Sequence, residues 1–228
     1  MVLKVLTNAL LFFTSVFFIS NPKSNAIINR SPNLETETRI VYANLQTNNF
    51  VPPQIQSFSE ALIGFYKLKE KGIIKKNILT LIDFSLSSNV KRLWVIDLTT
   101  NTILVQSLVA HGRNTGEEFA NSFSNNAQSF KSSIGFYATA EVYSGKHGLS
   151  LRLDGLEKGI NDNARNRGVV MHAADYVSAS FIKKNKRLGR SQGCLAVPIG
   201  LSKEIITIIK DKSCLFIYHP KSFSSLSS

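Results

Sequence analysis

Six short runs rich in β-branched and aromatic residues constrain this chain most: 79–84, 92–97, 103–110, 135–143, 169–172 and 214–219. Runs of that length, bounded by Gly, Asn, Asp and Ser, read as strands. They do not alternate regularly with helix-length periods, which argues against a doubly wound parallel sheet. Polar residues 99–102 lie between Trp94-Val-Ile-Asp97 and Ile103-Leu-Val105, so the second and third runs read as a hairpin. Helical spacing is confined to three places. At 57–71, Phe58, Ala61, Leu62, Phe65 and Leu68 share a face, Ser57 or Ser59 can cap the start, and Gly72 follows. A second helix is expected at 174–184. A third is expected at 202–210, with Ser202 as its cap and Leu201, Ile205, Ile206 and Ile209 on one side. The fold class is therefore mainly β, a β-rich α+β domain with mostly antiparallel strands, an N-terminal helix and a few peripheral helices. Its expected extent is 54–220, with a short tail at 221–228.

The first residues have a different character. Lys4 precedes an apolar run from Val5 to Ile19, and Ser24-Asn25-Ala26 offers small residues for cleavage. This is the pattern of a secretory signal peptide at 1–26, and an apolar stretch of roughly 15 residues is short for a spanning helix. The body of the protein is expected to be exported, to the periplasm or cell envelope, with no membrane contact beyond that segment. Residues 27–53, rich in Asn, Thr, Ser and Pro without a sustained period, read as a loose lead-in with little order.

Charge narrows the partners. The chain carries 27 Lys and Arg against 15 Asp and Glu; removing 1–26 removes Lys4 and Lys23, leaving 25 − 15 = +10. Such a surplus concentrates a protein near anionic polymers or surfaces. The lysines are scattered and no zinc spacing occurs, so nucleic acid is not an expected partner.

The groups able to do chemistry are few: two cysteines, Cys194 and Cys214, and histidines at 111, 147, 172 and 219. In an oxidising compartment the cysteines could form one disulfide. Alternatively, Cys194, in the glycine-bounded turn Gly189-Arg-Ser-Gln-Gly-Cys194, is a nucleophile, with His172 at the end of an apolar strand as its base. An imidazole beside a thiol takes its proton and favours the thiolate. Gly193 allows a tight turn that could aim amides at an oxyanion. His111 reads as structural, His147 as an exposed turn residue that could line a cleft, and His219 as solvent-facing. A zinc hydrolase using His111, His147 and His172 is a weaker reading, disfavoured because the histidines show none of its close pair spacings.

Taken together, several ordered passages resemble one family. They are Leu79-Thr-Leu-Ile-Asp-Phe84, Val109-Ala-His-Gly-Arg-Asn-Thr-Gly116, Ser133-Ile-Gly-Phe-Tyr137, Gly145-Lys-His-Gly148 with its continuation to Lys158, Asn161-Asp-Asn-Ala-Arg165, Val170-Met-His-Ala-Ala-Asp-Tyr176 and Gly189-Arg-Ser-Gln-Gly-Cys194. From Ile73 to Pro198 the chain is similar to the murein L,D-transpeptidase catalytic domains, exported cysteine enzymes with a YkuD-like β fold, and within them to a subgroup with a His-Gly-Arg-Asn passage.

The resemblance implies an acyl transfer. Cys194 would be the nucleophile and His172 its base, with the Ala173 backbone carbonyl orienting the imidazole and Gly193 giving an oxyanion amide. Substrate contacts would come from Arg190, Ser191, Gln192, Tyr176 and His147. The substrates would be peptidoglycan stem peptides, and the acyl acceptor a second stem, an envelope protein or water. Three positions depart from the family pattern: Gln192 where histidine is common, Ala173 where glycine is common, and Ala196 where arginine is common. A non-catalytic peptidoglycan-binding protein on the same fold and an L,D-carboxypeptidase remain the alternatives.

Overall fold

The computed structural model describes residues 32–146 and 148–221. His147, residues 222–228 and residues 1–31, which include the expected signal peptide, lie outside the described residues. Eight strands form one sheet: β1 Ile78–Asp83, β2 Leu93–Asp97, β3 Thr102–Ser107, β4 Gly135–Gly145, β5 Gly148–Gly155, β6 Val170–Ala174, β7 Leu195–Pro198 and β8 Cys214–Tyr218. Their order is β3-β2-β1-β8-β4-β5-β6-β7. Four helices accompany them: α1 Pro32–Ala43, α2 Ile55–Glu70, α3 Ala179–Asn185 and α4 Ile199–Ile209. The domain is β-rich α+β, and its pairings are antiparallel except β1 with β8 and β6 with β7.

Both faces of the central strands are buried, because alternate residues enter two cores. Leu79, Leu81, Trp94, Ile96, Phe136 and Phe216 pack with Phe58, Leu62, Phe65 and Leu68 of α2. Ile82, Leu93, Val95, Tyr137, Leu215 and Ile217 pack with Ile205, Ile206 and Ile209 of α4 and with β5 to β7. Strands covered on both sides read as nearly continuous apolar runs, which is why β1 and β8 show no alternation.

The α2 contact is close enough to reverse an ordinary helix preference. Alanine exceeds glycine in a helix interior by about 1 kcal/mol, but a Cβ on Gly64 would stand 2.0 Å from Cζ of the fully buried Phe136. Gly64→Ala is therefore expected to destabilise the fold by about 1–3 kcal/mol, measured by denaturant unfolding.

Several boundaries differ from the sequence expectation. The lead-in is ordered from residue 32 onward. It holds α1, and Gln46 pairs with Thr102 at the outer edge of β3. Its carbonyls find distant partners: Trp94 Nε1 donates to Val51 O at 2.8 Å and Tyr42 Oη to Pro53 O at 2.7 Å. A polar segment without its own period is ordered here by covering a sheet edge. The helix expected at 174–184 starts only at Ala179, since Ala173 and Ala174 are drawn into β6 by Val197 and Pro198, and Ser178 Oγ accepts from Phe181 N. The serines proposed as caps of α2 and α4 do not cap: Ser57 Oγ donates back to Gln54 O, and Ser202 Oγ to Ile199 O. Strand β5 had not been expected, although Leu149, Leu151 and Leu153 alternate there with polar residues.

Candidate active site

The parallel pairing of β6 with β7 builds the site. The strands are joined through α3, and their register sets Met171 against Leu195 and His172 against Ala196. Met171, Leu195 and Val197 enter the core beneath. The alternate residues face the other way: Ala174 and Ala196 join Ala110, Val177 and Leu188 in a small apolar cluster, and His172 shares their face. Continuing the register back by one step brings Cys194 beside Val170. Strands about 4.8 Å apart and a two-residue step of about 6.6 Å put the Cα atoms of His172 and Cys194 roughly 8 Å apart, within diagonal side-chain reach.

His172 is almost fully buried and its Nδ1 lies 2.8 Å from Ala173 O. A carbonyl can only accept, so Nδ1 carries a proton and donates it to Ala173 O. Cys194 is a half-buried free thiol whose Sγ donates to Gly168 O at 3.7 Å. Burial raises its pKa, opposed by the Val170 backbone and by the Arg167 charge. Tyr176 stands nearby, its phenol pushed up to about 12 by burial and then by Cys194.

The turn before Cys194 is closed by its own hydrogen bonds. Ser191 Oγ donates to Cys194 O at 2.7 Å and accepts from Gly193 N at 3.1 Å. Gly193 has φ +119, and a Cβ there would meet Lys131 O at 2.9 Å. These bonds engage two groups that the sequence suggested for the reaction. The Gly193 N–H donates within the turn to Ser191 Oγ. Ser191 is almost fully buried and holds the turn. Arg190 is likewise held elsewhere: its Nη1 donates to Arg113 O at 3.0 Å, to Gly116 O at 3.2 Å and to Glu117 Oε1 at 2.6 Å. Gln192 is exposed beside the cysteine, and Tyr176 packs against Gly189. Of the expected substrate contacts, Gln192 and Tyr176 stand beside the thiol. His147 lies outside the described residues.

A loop from the opposite side anchors the turn. Ser191 N donates to His111 O at 3.0 Å, and Arg113 N to Ser191 O at 2.7 Å. His111 is buried and its pKa falls to about 4, through burial and then the Arg92 charge. Arg92 Nη2 approaches His111 Nδ1 at 2.9 Å, and the guanidinium can only donate. His111 therefore serves as a neutral anchor. His219 does not face solvent as expected: it is buried, with its ring 4.9 Å from that of Phe123. Cys214 is fully buried in β8, and both thiols are free, so the disulfide alternative fails. Among the described residues no group of three or more His, Cys, Asp or Glu could hold a metal. None of their helices is long and apolar enough to cross a membrane.

Two neighbours of the thiol were not singled out in the sequence. Arg167 and Gly168, in the approach to β6, carry no local pattern; only the fold brings them against Cys194.

Comparison with known proteins places the domain. No curated protein matches the chain. Among solved structures, an L,D-transpeptidase from Mycobacterium smegmatis aligns at 10% identity and a TM-score of 0.39, over 63% of this chain and 59% of that one. A variant of the helical cell shape determining protein from Campylobacter jejuni aligns at 12% identity and a TM-score of 0.42, over 77% and 60%. An L,D-transpeptidase from Stackebrandtia nassauensis aligns at 12% identity and a TM-score of 0.39, over 73% and 69%. The chain thus spans less than two thirds of the length of the first two. The sequence pattern of the L,D-transpeptidase catalytic domain matches residues 52–218, from the entry to α2 to the end of β8. With most of its length matched in that way, the chain belongs to the L,D-transpeptidase catalytic domain family.

Proposed function

We propose that the protein is a peptidoglycan-remodelling cysteine L,D-transpeptidase, exported through the segment 1–26 and acting with its 54–220 domain in the cell envelope. The observation that supports the reading is the β6–β7 register, which, continued by one residue, brings the free Cys194 thiol onto the face that carries His172, whose Nδ1 lies against Ala173 O. Cys194 gives its proton to His172 Nε2, and Sγ attacks a stem-peptide carbonyl. The C–S bond forms, the C–N bond to the terminal D-amino acid breaks, and the departing amine takes the proton from the imidazolium. An acceptor amine then returns a proton to Nε2, attacks the thioester and releases the thiolate. Ala173 O holds the ring and stabilises its positive form. With the Gly193 N–H bonded to Ser191, the amide of Cys194 itself is the proposed oxyanion donor. No cofactor enters the scheme.

The test is to incubate the purified protein with a stem tetrapeptide or a carbapenem and map the adduct by mass spectrometry. An acyl group on Cys194 and none on the buried Cys214 is expected. An unmodified Cys194 overturns the reading in favour of a peptidoglycan-binding role. Release of free acid with every amine offered identifies an L,D-carboxypeptidase.

A further inference from the structure

We propose that Arg167 is a positioning residue for Cys194: it fastens the 122–133 loop against the cysteine turn and places an uncompensated positive charge beside the thiol. This rests on Cys194 being the nucleophile.

Arg167 is half-buried, and its guanidinium is held entirely by neutral oxygens. Nη1 donates to Ser124 O at 2.7 Å and to Ser133 Oγ at 2.6 Å; Nη2 donates to Lys131 O at 2.6 Å and to Ser129 Oγ at 3.3 Å. Among the described residues no carboxylate forms an ion pair with it, unlike Arg165 two positions earlier, which is bound by Glu141 and Asp154. The same side chain lies against the cysteine turn. A Cβ on Gly193 would stand 3.5 Å from Arg167 Nη2, and Lys131 O, which Arg167 binds, would be 2.9 Å from that Cβ. Gly168, the next residue, accepts the Cys194 thiol.

An arginine whose donors are satisfied by carbonyls and hydroxyls keeps its full charge. Taking it partly out of water without a counter-ion costs free energy, and its pKa is lowered by that burial. The Cys194 thiolate, formed during the reaction, supplies the missing anion. The thiol is held up by burial, and Arg167 acts against that. Among the described residues, the other charged or titratable groups in the segments around Cys194 are His172 on β6, Tyr176 beyond it, Lys131 in the loop and Arg190 in the turn. Of these, Arg190 is occupied by Glu117, and the Lys131 ammonium donates to Ser122 Oγ at 2.7 Å. The loop that Arg167 fastens also meets the opposite wall of the site: Phe130 O accepts from Asn114 N at 3.1 Å, and Gly112 N donates to Ser132 Oγ at 3.0 Å. Arg167 thus holds the loop whose Ser132 bridges Gly112 and Gly193 of the cysteine turn.

Alkylation of Cys194 by iodoacetamide, followed against pH in wild type, Arg167→Gln and Arg167→Lys, tests this without any peptidoglycan substrate. Arg167→Gln is expected to slow alkylation at pH 7 by roughly tenfold and to move the midpoint to higher pH, with an unchanged rate at the alkaline plateau. Arg167→Lys should restore most of the rate at pH 7, since it returns the charge. An unshifted midpoint in Arg167→Gln overturns the proposal. So does an equal loss in both variants with a lowered plateau, which would assign Arg167 to loop architecture alone. If the shift is found while stem peptides leave no adduct, Arg167 stands and the transpeptidase reading fails.

Discussion

Cys194→Ser and His172→Ala are each expected to lower acyl transfer from a stem tetrapeptide by on the order of 10⁴-fold, and the double variant by little more. The near-equality follows from the site. His172 Nδ1 is committed to Ala173 O, so Nε2 is the nitrogen proposed to take the proton of Cys194. The thiol pKa is raised by burial, so near neutral pH the resting cysteine carries its proton and cannot attack without a base. Serine retains a donor of similar shape but is far harder to deprotonate. Alanine at 172 leaves the thiol in place with nothing to accept its proton. Removing either group disables the same step, so the losses do not add. Kinetics of product formation on all three variants would check this. A double variant markedly slower than both singles would show that the residues act in separate steps.

Arg92→Met is expected to destabilise the fold by about 3–5 kcal/mol, and to cost activity more steeply than stability. Arg92 is fully buried at the head of β2. Its Nε and Nη2 donate to Val109 O at 3.3 and 3.1 Å, Nη1 donates to Leu86 O at 2.7 Å, and the guanidinium stacks 4.7 Å from the centre of the Phe84 ring. Burial lowers its pKa to about 9, while the nearby charge of the equally buried Asp83 opposes that effect. Methionine fills much of the volume but leaves two carbonyls and His111 Nδ1 without their donor, and the Asp83 carboxylate without its counter-charge. Single hydrogen bonds lost in this way cost about 1–3 kcal/mol each, so the charge and the orphaned acceptors together set the size of the effect. Denaturant unfolding measures it, and Asp83→Asn in the same background should recover part of the loss. The activity consequence runs through His111, whose carbonyl holds Ser191 N and thereby the cysteine turn. A loss below 1 kcal/mol would show that the buried network is not a structural support.

These residues mark the divide between what was legible in the chain and what was not. The sequence by itself determined most of the strands, β1 to β4, β6 and β8, because apolar runs flanked by turn residues allow little else, and it singled out Cys194 and His172, because thiol and imidazole are rare here. The hydrogen bonding around the cysteine was not legible for one reason: a motif states which residues are present but not which neighbour each polar atom finds. Ser191, Arg190 and the Gly193 amide look available in the string Arg-Ser-Gln-Gly-Cys, and the folded turn occupies all three. Residues 32–53 look unstructured because the groups that order them, Trp94, Asn101 and Gln106, lie some 50 positions away. Only the tertiary structure decided that β6 and β7 lie parallel, that His111 is a neutral anchor on Arg92, and that Arg167 meets the thiol. Each of these depends on contacts between residues distant in sequence, and hydrogen bonding and charge act through space regardless of position along the chain.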